Sequence, residues 1–135
     1  MAVFDVSIDK DFMKSLGTLA QVERYAPKMI EEALPIVRDK LKAKIEQEGH
    51  VEYGDLFNSI ECSEVTKTKN GYIGNAFPQG KNRDGVRNAE ALVYLEYGTS
   101  RQDSTGIITR TLISTRKDVE AKMQEVFERE ALKDL

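Results

Sequence analysis

The chain has little of what most protein chemistry needs. Its 135 residues include one cysteine (Cys62), one histidine (His50) and no tryptophan. A closed zinc site of the Cys/His type takes four ligands, so one chain cannot assemble it. A lone thiol forms no intramolecular disulfide and gives no sign of an oxidising compartment. Ser–His or Cys–His catalysis would have to run through His50 alone. That residue follows Gly49 where a helix is expected to end, a place where an imidazole complements the helix dipole. Cys62 has no visible activating partner and reads as a small half-buried side chain. Neither a catalytic centre nor a cofactor or metal site is expected.

Long apolar runs are missing too. Those present extend over only a few residues, against the roughly 20 needed to cross a bilayer. The opening MAVFDVSIDKD is acidic where a secretion signal would be basic and then apolar, so a soluble cytoplasmic protein with no membrane partner is expected. Charge of one sign is also absent: 20 basic and 23 acidic residues leave a net charge of −3. A dedicated duplex-DNA binder needs an excess of lysine and arginine to neutralise phosphates. No period of 20–50 residues recurs, and no segment is of low complexity. With 40% apolar residues, the length suits one domain around one core, burying roughly two-thirds of the unfolded surface.

What is present is patterning. Residues 3–8 place Phe4, Val6 and Ile8 on one side of a short strand. Asp9 stands as an N-cap before Phe12, Leu16 and Leu19, which predicts a short helix over 9–20 weakened by Gly17. Val22, Ala26, Met29, Ala33, Val37, Leu41 and Ile45 then recur at steps of three and four, opposite Glu23, Lys28, Glu31, Asp39, Lys42 and Glu46. This predicts a long amphipathic helix ending near Glu48, with Gly49 as its stop. Pro27 fits a first turn, whereas Pro35 is expected to kink the helix or divide it in two.

From Gly54 the pattern shortens. A β-rich stretch over 61–69, Asn70-Gly71 and a return over 72–76 predict a hairpin, with Gly74 at a weak or bulged position. Residues 78–88 have no apolar period and are expected to form a mobile, exposed loop. Leu92, Val93, Tyr94, Leu95 and Tyr97 form the densest apolar-aromatic cluster, expected to be mostly core. A last helix is predicted over 115–132, with Thr115 and Asp118 as a capping box; residues 107–113 suit strand or helix. The expected fold is α+β, a small antiparallel sheet with a β-hairpin packed against two long amphipathic helices.

Two groupings bear on chemistry. Asp55 with Glu64 and Lys67 echoes the acid–acid–lysine set of metal-dependent nucleases, in which carboxylates hold a divalent ion beside the attacking water. Lysine-ending groups are common in so charged a chain, and the alternative is a solvated strand face. Lys81, Arg83 and Arg87 offer loop cations for nucleic acid or an acidic partner, although Asp84 and Glu90 are interspersed. The glycines at 71, 74, 80 and 85 lack the Gly-Lys-Ser/Thr ending of a phosphate loop.

Two further segments carry a resemblance. Tyr94-Leu-Glu-Tyr-Gly-Thr-Ser100 resembles the Glu–aromatic–Gly–Thr signature of tailed-phage neck, or head–tail joining, proteins similar to gene product ten of phage HK-ninety-seven. Tyr53-Gly-Asp-Leu-Phe-Asn-Ser-Ile60 resembles that family's Thr-Gly-x-Leu-x-x-Ser-Ile segment, with Tyr53 in place of threonine. The order of elements is also similar across nearly the whole chain. One departure is Gly106-Ile-Ile-Thr-Arg110, where the family usually has a Pro-Phe-Leu-like step.

The resemblance implies a structural virion protein at the head–tail junction, made in the host cytoplasm. It implies a homo-oligomeric ring, six-membered by analogy, that meets head-completion and tail proteins while DNA passes through without specific binding. A tail terminator capping the tail tube is the alternative from the same setting, and the small nuclease is the alternative from another class. The assembly residues implied are Gly54, Leu56, Ser59 and Ile60 in one segment and Tyr94, Glu96, Tyr97, Gly98 and Thr99 in the other. Gly98 is expected at a corner open only to glycine, with Thr99 capping the turn that follows.

Overall fold

A computed structural model of the chain describes residues 5–6, 19–49 and 54–134. Its elements run β1 (Asp5–Val6), α1 (Leu19–Gln47), α2 (Asp55–Ser59), β2 (Ile60–Cys62), β3 (Thr66–Thr68), β4 (Gly71–Pro78), α3 (Asn88–Tyr97) and α4 (Ile107–Lys133). The fold is α+β with a small antiparallel sheet and two long helices, as expected. Of the predicted first strand, residues 5–6 are described. The predicted helix over 9–20 lies outside the described residues up to 18, and its last two residues belong to α1. His50 and Tyr53 also lie outside them.

The apolar repeat after Val22 becomes α1, which ends as its composition suggests. Gly49 takes φ 78°, and its N–H donates to the Glu46 carbonyl at 3.1 Å. Pro35 does not divide the helix: Pro27 and Pro35 both lie inside one 29-residue element. Each proline removes the donor for the carbonyl four residues earlier. Those residues, Glu23 and Glu31, are exposed, so water can serve the freed groups.

The buried side of α1 is wider than one stripe. Ile30 and Leu34, outside the predicted repeat, are fully buried with Met29, Ala33, Val37, Leu41 and Ile45. The reason is that α1 has neighbours on two sides. Tyr25 meets Phe127 of α4 edge to face at 5.7 Å, and Glu32 pairs with Arg129 of α4. On the other side α1 lies under β4. A Cβ at Gly74 would come within 2.7 Å of Leu34 Cδ1 and 3.0 Å of Ile30 Cγ2. Gly74 therefore marks a close approach of helix to strand. The sheet rests on α1, and α4 packs mainly along α1 rather than beneath the sheet.

β4 is the central strand, with β1 on one side and β2 and β3 on the other, all antiparallel. A bulge does occur, but across from Gly74. With Cys62 opposite Ala76 and Thr66 opposite Ile73, residues 63, 64 and 65 face only residues 74 and 75. Ser63 fills the gap in bonding: its N–H donates to the Asn75 carbonyl at 2.7 Å, and its Oγ accepts from the Asn75 N–H at 2.9 Å.

The hairpin forms where expected, with a different turn. Thr68 pairs with Gly71, leaving Lys69 and Asn70 as the two turn residues. Among the described residues no non-glycine has positive φ, so Lys69 and Asn70 cannot form a primed turn, and Gly71 at φ 120° takes up the twist.

α4 starts at Ile107, eight residues before the predicted start. Thr115 is no cap. It is buried in mid-helix and donates from Oγ1 to the Thr111 carbonyl at 2.8 Å, as Thr111 does to Ile107 at 2.7 Å. Such back-bonding satisfies buried hydroxyls within the helix itself.

Candidate functional site

The two segments that carry the resemblance fold against each other: α2 contacts α3, and α3 contacts the start of α4. The Glu–aromatic–Gly–Thr segment is a joint. α4 begins after Gly106, at φ 61°, which has no side chain to cap the helix. Glu96 supplies the cap from α3. It is only 6% exposed, and its Oε1 accepts the backbone N–H and the Oγ1–H of Thr109, both at 3.0 Å. Thr109 is the third residue of α4, where a capping oxygen belongs, and a carboxylate there also complements the positive helix end. Around it the Thr105 N–H donates to the Leu95 carbonyl at 2.8 Å and the Gly106 N–H to the Glu96 carbonyl at 3.2 Å.

Gly98 closes α3, its N–H donating to the Tyr94 carbonyl at 2.8 Å. Its φ 79° and ψ 173° fall in a region open essentially to glycine alone. Sterics agree: a Cβ there would lie 2.7 Å from Ser104 N and 2.9 Å from Gln102 O, both backbone atoms. Thr99 and Gln102 then bond reciprocally through their backbones, and Thr99 Oγ1 accepts the Arg101 N–H at 3.2 Å.

The apolar-aromatic cluster on α3 is not all core. Leu92, Leu95 and Glu96 share the inner face at helical spacing and are buried. Tyr94 and Tyr97 point the other way, 43% and 77% exposed. They correct the expectation of core packing and present two aromatic rings outward.

In the other segment, Gly54 (φ 80°) starts α2, Leu56 packs half-buried against the core, and Ile60 enters it. The Ser59 Oγ–H donates to the Leu56 carbonyl at 2.7 Å, while the Ser59 carbonyl accepts the Gln79 N–H at 2.8 Å. Asp55 takes Arg83 in a two-pronged grip, with Nε on Oδ2 and Nη2 on Oδ1 at 3.0 Å each, and accepts the Arg83 backbone N–H at 3.0 Å. These bonds hold the Asp55 carboxyl at about 2, well below its ordinary value.

The loop between β4 and α3 is exposed, as expected, and bonded throughout. Asn82 Oδ1 accepts the N–H groups of Asp84 and Val86 at 2.9 and 3.0 Å, the backbones of Lys81 and Arg87 pair as an isolated antiparallel bridge, and the Arg83 side chain reaches Asp55. Arg87 pairs with Glu90 at 2.5 Å. Two of the three loop cations singled out in the sequence are thus engaged within the chain.

A depressed folded pKa makes the Asp55–Arg83 pair fully stabilising above the unfolded value of about 3.9 and loses that contribution as pH falls toward about 2. Carbon-detected NMR titration of the Asp55 carboxyl should give a midpoint near 2, and Asp55→Asn should speed amide exchange at Arg83 at neutral pH. A midpoint near 3.9 would contradict the pair.

The candidate nuclease residues do not converge. Asp55 is held by Arg83 at the start of α2, Glu64 stands exposed in the bulge, and Lys67 lies over the Tyr72 ring at 6.0 Å in the hairpin. Among the described residues no three His, Cys, Asp or Glu side chains come together as a metal site, and no helix is long and apolar enough to cross a membrane. Cys62 is half-buried beside Arg38, and burial raises its thiol pKa.

Where the two segments meet, an open groove of about 400 Å³ runs between Gly54 and Leu56 on one wall and Tyr94 and Leu95 on the other. Asn82, Asp84 and Asn88 line its loop side. Neither segment announces this groove alone, because it depends on their packing. No family model, curated protein or solved structure matches the chain.

Proposed function

We propose that this chain is a structural subunit of a tailed phage or prophage, a ring-forming protein of the head–tail junction. The observation that carries the reading is the joint. Glu96 and Gly98, the fixed letters of the neck-protein signature, serve helix capping and a glycine-only corner, while Tyr97 between them is exposed at 77%. A motif that locks its own backbone and turns one aromatic ring outward suits presentation of a contact surface. Tyrosine is enriched at such contacts because it covers a large area with few rotatable bonds. The near-balanced charge, at −3, suits a part beside which DNA passes without being gripped.

In this reading the subunit is made in the host cytoplasm, joins copies of itself, and meets head-completion and tail proteins in the virion. The test is light scattering across a concentration series, alone and with the neighbouring head and tail proteins, followed by electron microscopy. Closed rings, alone or on those partners, are the expected result. A monomer at every concentration and with every partner would overturn the reading.

A further inference from the structure

The two ends of β4 are unlike and complementary. Beyond Pro78 lies the groove. Asp84 on its loop side has no cation partner among the described residues, whereas Asp55 beside it is taken by Arg83. Asn88, also lining the groove, is 4% exposed, and its Oδ1 has no hydrogen-bond partner. This end therefore offers an exposed carboxylate without a cation partner, on a wall to which Asn88 also contributes, and so calls for a cation.

Before Gly71 lies the hairpin tip, where Thr66, Lys67, Thr68, Lys69 and Asn70 are all exposed. The tip is braced: Thr68 Oγ1 donates to the Gly71 carbonyl at 3.0 Å and accepts the Asn70 N–H at 3.3 Å. Lys69 stands at its apex with no ion pair among the described residues, an ammonium with three donors on a preorganised turn. Its own groove is out of reach. The eight residues of β4 separate the two ends by about 26 Å at roughly 3.3 Å per residue. What a single chain cannot bring together, a second copy can.

We propose that the groove of one subunit receives the lysine-tipped hairpin of the next, with Lys69 entering beside Asp84 and Asn88. The occupant is a second copy of this chain. Because knob and groove are different patches at opposite ends of one strand, the contact is head to tail and repeats around a ring when its rotation closes. The proposal rests on the ring reading and names the two surfaces that meet in it.

The test uses the full chain and two single variants, Lys69→Glu and Asp84→Lys, both at exposed positions and each checked for an unchanged circular dichroism spectrum. Either variant sets like charges across the contact and should weaken self-association about tenfold or more in light scattering. The equimolar mixture pairs each altered hairpin with an oppositely altered groove, and should regain association as alternating subunits. If the unaltered chain associates and either variant associates equally tightly, this contact is wrong while the ring reading stands. If the unaltered chain stays monomeric alone but forms rings on its neighbours, this contact is likewise overturned as the driving one. Loss in both variants without rescue in the mixture also overturns it.

Discussion

Replacing Gly98 with valine is expected to cost about 3 kcal/mol or more, a large part of the stability of a domain this size. Two penalties act together. The backbone at φ 79° and ψ 173° is essentially closed to L-residues with a side chain, and the Cβ would press on Ser104 N and Gln102 O, main-chain atoms that cannot rotate away. Relief would require opening the turn over 99–105, which also carries the approach to α4. Gly80→Ala is the matched control. Gly80 has φ 67° but nothing within 4 Å of a Cβ, so only the conformational penalty applies, about 1–2 kcal/mol. Urea unfolding should rank Gly98→Val well below Gly80→Ala. Equal losses would show that close approach at Gly98 is unimportant.

The second large effect belongs to Glu96. Glu96→Ala should destabilise by about 1–2 kcal/mol, since it removes a charge-assisted cap that serves both the backbone N–H and the hydroxyl of Thr109. Glu96→Gln keeps one acceptor oxygen and should lose clearly less. Hydrogen exchange at the first amides of α4 gives the local readout. Faster exchange confined to that turn in Glu96→Ala is the expected signature, and unchanged protection there would contradict the capping role. A neck-type reading makes these two residues foundations of the contact surface, so both variants should also weaken assembly.

That capping also explains why the start of α4 was poorly legible. Sequence rules look for a cap next to the helix, and Thr115 with Asp118 offers one in the wrong place. The real cap is Glu96, thirteen residues before the Thr109 it serves. Asp55 and Arg83 are hidden the same way, 28 residues apart. Local periodicity carried what local physics decides: the course of α1, its stop at Gly49, the hairpin and the α+β class. It failed where an element has two partners. Ile30 and Leu34 lie off the predicted stripe because α1 is covered on two sides, by the sheet and by α4. On α3, apolar content is legible but its burial is not, since Tyr94 is 43% exposed while Leu95, one residue on, is buried.

The bulge opposite Gly74 has a consequence for how copies of this chain can stack. The outer edge formed by β2 and β3 pairs with nothing among the described residues, and a long flat edge would template endless strand addition. Here three residues against two bend that edge midway, and Ser63 turns its hydroxyl and amide inward to Asn75. Glu64 within the bend and Lys67 just past it add exposed charge. A growing fibril finds no straight run to copy.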